Sequence, residues 1–249
     1  MKAPAVCLVP WVAAVRAALN HGGTRRPKRD RREAKRKQLQ LATVDPVTLA
    51  PSVRTVVFRG FLQAQHLAAE RGQDASDASD DELMEPSTKD SCVMLLITDE
   101  RAGKVRHLQE SFPQSRVELC WWFDEASVQF RIAGRGLIAD STTQDPELRA
   151  VRSAVWQRLK ASTKETFFWP HPGRPRDVPN QAVSSTDLED AHFAVVVILP
   201  SSVDELHLGG RQKRKIYRSS FKEDYMHLPF SELYDRMAEL HWEVEDVNP

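Results

Sequence analysis

Apolar residues along this chain recur mostly at every second position, and that period predicts strands. Residues 39–44 and 53–60 read as two of them, joined through the Asp45-Pro46 turn into an antiparallel hairpin. The run 92–98 is apolar almost throughout and reads as a buried strand. Residues 116–123 set Val117, Leu119, Trp121 and Phe123 on one face, and 127–137 set Val128, Phe130 and Ile132 against Gln129, Arg131 and Arg135, which makes a second hairpin. Further strands are expected at 193–199, 203–208, 213–218 and 241–247.

Helical spacing occupies fewer places. Pro10 opens a segment in which Trp11, Val15 and Leu19 recur at every fourth position, with Gly22-Gly23 as its stop. Thr98 stands at the end of one strand and at the expected start of a helix whose Val105, Leu108 and Phe112 share a face. Asp145-Pro146 begins a helix carrying Leu148, Val151, Val155 and Leu159, and a shorter helical piece runs to Phe167-Phe-Trp-Pro170 before a Pro-rich loop over 171–187. The fold class expected is mostly β with helices (α+β), an antiparallel barrel or roll forming a single domain over 1–249.

Composition changes this picture in two places. Net charge is +0 over 249 residues, but nine basic residues crowd into 25–37 and acidic ones into 74–90. The basic run is built from good helix formers without an interleaved aromatic, and reads as a solvated helix face, with a nuclear signal or nucleic-acid patch as the alternative. Residues 72–91 hold almost nothing apolar and read as a disordered acidic insertion within the domain. Three cysteines, Cys7, Cys92 and Cys120, lie far apart, so a disulfide framework is not expected and the compartment is read as reducing. The longest apolar run, 193–199, is far short of the ~20 residues that span a bilayer. The chain is therefore expected to be soluble and cytoplasmic, a mitochondrial presequence being the alternative.

Chemistry is concentrated in Arg54-Thr-Val-Val-Phe-Arg-Gly60. Arginine offers paired donors and a permanent charge, which suits phosphate. Five residues apart on a strand, Arg54 and Arg59 should face opposite sides unless a bulge intervenes. An edge strand with two solvated arginines is the plainer reading of the octapeptide 54–61. Thr98, Arg101 and Lys104 near a helix start would make a serviceable phosphate cradle, the alternative being a simple N-cap at Thr98. Dinucleotide, phosphate-loop, zinc-protease and nucleophile-elbow motifs are absent from the sequence, and its eight histidines lack metal-ligand spacing.

Several stretches agree in order with one family: Pro10-Trp11, Gln40-Leu-Ala-Thr-Val44, Arg54-Thr-Val-Val-Phe-Arg-Gly60, Ile97-Thr98 with Lys104, Trp121-Trp-Phe123 followed by Gln129-Phe-Arg-Ile-Ala-Gly134, and the tail 242–249. Together they resemble the pyridoxamine phosphate oxidase-like FMN-binding proteins. The resemblance implies a split β-barrel that works as a homodimer with FMN at the subunit interface. It implies Arg54 and Lys104 as FMN-phosphate ligands with Thr98 and Ile97 beside them, and Val57 and Phe58 as backbone along the flavin ring. Gln129 would reach flavin from the partner subunit, Arg59 stands where the oxidases carry a substrate-side lysine, and Arg214 is the match for a late flavin-site arginine. Two departures accompany it. Gly103 replaces a basic residue before Lys104, so that one phosphate contact is either missing or supplied by Arg101, and the late segment carries His207, Gly209-Gly210, Arg211, Lys213, Arg214 and Arg218 where the oxidases present tryptophan, arginine and histidine. The function implied is an FMN-dependent oxidoreductase of unknown small-molecule substrate, with a non-catalytic flavin carrier or sensor as the alternative.

Overall fold

Strand pairing in the computed structural model, which describes residues 9–21, 35–63, 91–175, 187–189 and 191–249, follows the period-two pattern closely. Strand β1 (Gln38–Val44) buries Leu39, Leu41 and Thr43 at alternate positions and pairs antiparallel with β2 (Pro51–Phe61). On its other side β1 pairs with β4 (Arg116–Phe123), which pairs with β5 (Val128–Ala139). Strand β3 (Met94–Asp99) lies against β2 and also against β6 (Phe193–His207), and β6 pairs with β5. The order β3-β2-β1-β4-β5-β6, closed by β3 against β6, is a six-stranded antiparallel barrel. Beyond the closure, the second half of β6 carries β7 (Lys213–Ser219) and β8 (Trp242–Val247) as an extension of the same sheet.

The sequence suggests two strands, 193–199 and 203–208, where the protein builds one. Pro200 would ordinarily end a strand because it donates no ladder hydrogen bond. Here the register shifts between Ala133 and Gly134, directly opposite Pro200, and the bulge absorbs the missing donor. Gly134 makes this possible: a Cβ there would stand 2.2 Å from the Leu199 carbonyl oxygen.

Five helices dress the barrel among the described residues. Helix α1 (Pro10–Asn20) starts at its proline and buries Trp11, Val12, Val15 and Leu19, with the Trp11 ring edge-on to Phe61 and Trp242 at 5.9 Å each. The expected Gly22-Gly23 stop, most of the basic run and all but Ser91 of the acidic insertion lie outside the described residues. Helix α2 (Gly103–Glu110) begins five residues later than the expected start at Thr98, because Asp99 ties a turn through its carboxylate to the Arg101 amide and through its carbonyl to the Ala102 amide. Phe112 falls past its end and is half-exposed rather than on its buried face. Helix α3 (Pro146–Gln157) is capped as the sequence suggests, Asp145 accepting the Leu148 amide at 3.0 Å. Helix α4 (Ala161–Glu165) and a 3-10 turn Thr166–Phe168 follow. Helix α5 (Phe230–Ala238) has no counterpart in the expected elements, although Phe230, Leu233, Tyr234 and Met237 fall at the i, i+3, i+4, i+7 spacing and are all buried. One apolar cluster runs from α1 through the barrel to α5. Among the described residues no helix is long and apolar enough to cross a membrane.

Candidate functional site

Strand β2 sorts its two arginines by parity. Val56 and Phe58 point into the barrel and are buried, so Arg54 shares their face at the barrel mouth, while Val57 and Arg59 share the other. The irregularity in β2 falls between Phe58 and Phe61, too late to disturb that alternation. Leu96 opposite Phe58 fixes β3 likewise, so Thr98 belongs to the mouth and Ile97 to the outer face with Val57.

At the mouth the Arg54 guanidinium donates through Nη1 to the Leu41 carbonyl (3.1 Å) and the Thr43 hydroxyl (2.8 Å), and through Nη2 to Ser52 Oγ (2.6 Å). Lys104, in the first turn of α2, donates its ammonium to Thr98 Oγ1 at 2.6 Å. Burial pulls the Arg54 pKa below its ordinary value, and burial followed by the charge of Arg54 does the same to Lys104, with Asp99 opposing weakly. Two cations therefore stand within each other's field in a partly desolvated place that would gain from an anion.

Thr43, His107 and Asp45 complete the cluster; the sequence places Asp45 in a turn and Thr43 in a strand but marks none of the three as a site residue. Thr43 is a polar residue on the inward face of β1, after Leu39 and Leu41, which is the signal that could have exposed it. Its hydroxyl accepts from Arg54 and lies 3.0 Å from His107 Nδ1, while His107 Nε2 is 3.4 Å from Asp45 Oδ2. With the carboxylate facing Nε2, the imidazole proton belongs there, and Thr43 donates to Nδ1. Burial lowers the His107 pKa despite Asp45. Asp45 accepts the Val47 and Thr48 amides and the Arg106 guanidinium, and these hold its carboxyl far below the usual range.

The remaining predicted residues separate into two groups. Val57, Phe58, Arg59 and Ile97 lie next to the mouth on β2 and β3; the Phe58 side chain is packed in the core against Trp121 at 4.8 Å, so only its backbone can face a ligand. Gln129 and Arg214 lie elsewhere, on β5 and β7, both in register with Leu206 of β6. Arg214 is clasped by Asp204 at 3.0 and 2.8 Å, and Arg131 bonds the same carboxylate. Arg101 is similarly engaged, with Asp99 at 3.0 and 2.6 Å and the Trp169 carbonyl at 2.9 Å, and so is not placed to stand in at the position of Gly103. The outer face that carries Val57 and Gln129 also carries Val53 and Trp122, exposed at 68% and 40%.

Residues 8–140 match the family model for the pyridoxamine 5'-phosphate oxidase, FMN-binding domain. The chain belongs to this family. The match takes in Arg54, Ile97, Thr98, Lys104 and Gln129 and stops before Arg214. Among curated proteins the chain is similar to pyridoxine/pyridoxamine 5'-phosphate oxidase 2 of Arabidopsis thaliana, 27% identical over 216 residues, covering 85% of this chain and 86% of that one. Among solved structures it resembles a pyridoxamine 5'-phosphate oxidase-related, FMN binding protein of Nostoc punctiforme PCC 73102, with a TM-score of 0.68 and 28% identity over 97% of this chain and 99% of that one. The six-stranded barrel with its helices is thus an oxidase-like fold.

Proposed function

We propose that the protein binds FMN between two copies of itself and acts as an FMN-dependent oxidoreductase in the cytoplasm, where Cys92 and Cys120 remain thiols. The observation that carries this reading is the convergence of Arg54 and Lys104, both partly desolvated, on the hydroxyls of Thr43 and Thr98 at the barrel mouth. That donor set suits a phosphate monoester: two cations match a dianion, and each already holds a hydroxyl that can be shared with or exchanged for a phosphate oxygen. Arg54 is held in place by Leu41, Thr43 and Ser52 before any ligand arrives, so little rotamer freedom is lost on binding. Val57 and Ile97, on the outer face beside the mouth, offer an apolar strip for a flat ring, and Arg59 of that face is assigned to an anionic substrate. Gln129 is assigned to the flavin of the partner subunit. FMN, when bound, supplies the hydride or electron transfer, and the chain supplies orientation and charge.

A flavin carrier or sensor without turnover is the second reading, favoured by one observation: Arg214, the late arginine expected near flavin, is locked onto Asp204. The absorbance spectrum of the purified protein tests the flavin itself, and a colourless protein that takes up no FMN on titration would end both readings. Steady-state assays with pyridoxamine phosphate, and with NADPH and oxygen, separate the two, since reduction of bound flavin by either donor is expected only of the enzyme.

A further inference from the structure

A groove of about 520 Å³ opens where the end of β1 and the start of β2 meet the start of β4, the middle of β5 and the segment that follows β7; Thr43, whose hydroxyl accepts from Arg54, is part of its lining. Its floor holds an unusual pair. Arg116 of β4 and Arg135 of β5 are directly opposite in register, an arrangement that places like charges side by side and is unfavourable without a counter-ion. Arg135 is buried to 8% exposure and donates to the Gln114 carbonyl at 2.7 Å. Both guanidiniums reach one carboxylate, that of Glu223, which is 3.5 Å from Arg116 and hydrogen-bonded to Arg135. Glu223 comes from a separate short 3-10 turn, Glu223–His227, and remains 65% exposed.

A buried arginine whose counter-ion is the outermost, most solvated member of the pair is an arrangement in which that carboxylate can be exchanged for another anion, though not simply lost. Desolvation pulls the Arg135 pKa down while Glu223 pushes it up, so the site needs an anion whichever molecule provides it. Glu118 also lines the groove; with Glu223 in place two guanidiniums face two carboxylates, and with Glu223 swung out the balance is one net positive charge. Val44, Pro51 and Phe221 supply apolar walls, and the volume exceeds what a bare oxyanion fills.

We propose that this groove is a binding site for an organic oxyanion, a carboxylate or phosphate monoester with an apolar body, and that Glu223 is a built-in plug which the ligand displaces from Arg135 and Arg116. The head group takes the two guanidiniums, bidentate on Arg135, and the body lies on Phe221 and Val44. Its two guanidiniums are not the cations of the Arg54 and Lys104 cluster, although the sites are neighbours that share Thr43 as a wall.

The test is calorimetric titration of the full chain, with and without saturating FMN, using benzoate and phenyl phosphate as probes. Glu223→Gln removes the competing charge and is expected to bind the better probe about tenfold tighter than wild type, and Arg116→Ala, on an exposed side chain, about tenfold more weakly. The tighter of the two probes identifies the head group. FMN is expected to leave both affinities unchanged. Failure of Glu223→Gln to bind either probe, or its binding no more tightly than wild type, would overturn the proposal. So would competition between probe and FMN, which would return the probe to the flavin site.

Discussion

Arg54 and Arg59 differ by five positions and by everything around them, and substitution should separate them. Arg54→Ala removes a charge-assisted fork at the barrel mouth, costing roughly 2 to 4 kcal/mol of FMN binding, about two orders of magnitude or more in affinity. Arg54→Lys keeps the charge and loses the fork, and should fall between wild type and alanine. Arg59→Ala should leave FMN bound within about tenfold, because its side chain shares the outer face with Val57. Titration with FMN decides: equal losses for the two alanine variants would mean that parity does not divide their roles. His107 supplies a second residue-scale prediction. Its folded pKa is lowered, so the unfolded chain takes up the proton first; the stability His107 contributes is complete above about pH 6.5 and is lost as pH falls from there through the lower folded value. Asp45, also lowered, adds a similar loss that begins only below its ordinary value of 3.8. Urea midpoints measured from pH 8 to pH 5 should therefore decline in wild type and stay flatter in His107→Gln. An identical slope in both would remove His107 from the account.

At the scale of elements, the barrel turns on the crossing of β5 and β6. Gly134→Ala would drive a methyl group into the Leu199 carbonyl, 2.2 Å from the ideal Cβ, where only backbone could yield. The expected loss is about 3 kcal/mol or more, whereas Gly209→Ala, whose nearest neighbour is Ser127 Cβ at 3.5 Å, should cost under about 1 kcal/mol. Chemical denaturation of the two variants checks this, and a Gly134→Ala protein as stable as wild type would mean that the bulge relaxes freely. The same crossing shows where sequence reading stops. Strands β1, β4 and β5 are legible because one face is buried and the other wet, so alternation survives in the composition. Residues 193–207 are buried on both faces at first and interrupted by Pro200, and nothing local says that Gly134, 66 positions earlier, will accommodate the proline. Helix α5 carries its periodicity plainly but spans only 9 residues, too few to stand out from the irregular chain on either side. The start of α2 shifted because the Asp99 carboxylate competes for the turn, a side-chain effect that a period cannot express. In the candidate site, Arg54, Thr98 and Lys104 could be named from the sequence as separate signals. That Thr43 joins Arg54 to His107 required the β1–β2 register.

For the whole molecule, the question is what covers the outer face of the sheet. Val53 and Trp122 stand exposed there beside Val57, on the face that also carries Gln129, and the sequence shows them only as the polar side of two strands that are not fully polar. A dimer formed on this face would bury Trp122, a large aromatic of the kind that contributes most to such contacts. If flavin lies in that interface, dimerisation and FMN binding are linked equilibria, and each must strengthen the other by the same factor. Trp122→Glu, which places a charge in the contact while leaving the barrel core untouched, should then weaken both together. Sedimentation should show weaker self-association than wild type, and FMN affinity should fall by about tenfold or more, with part of the loss recovered as protein concentration is raised. A Trp122→Glu protein that is monomeric yet binds FMN with wild-type affinity would show that one chain holds the cofactor alone, and would remove Gln129 from the role assigned to it across the interface.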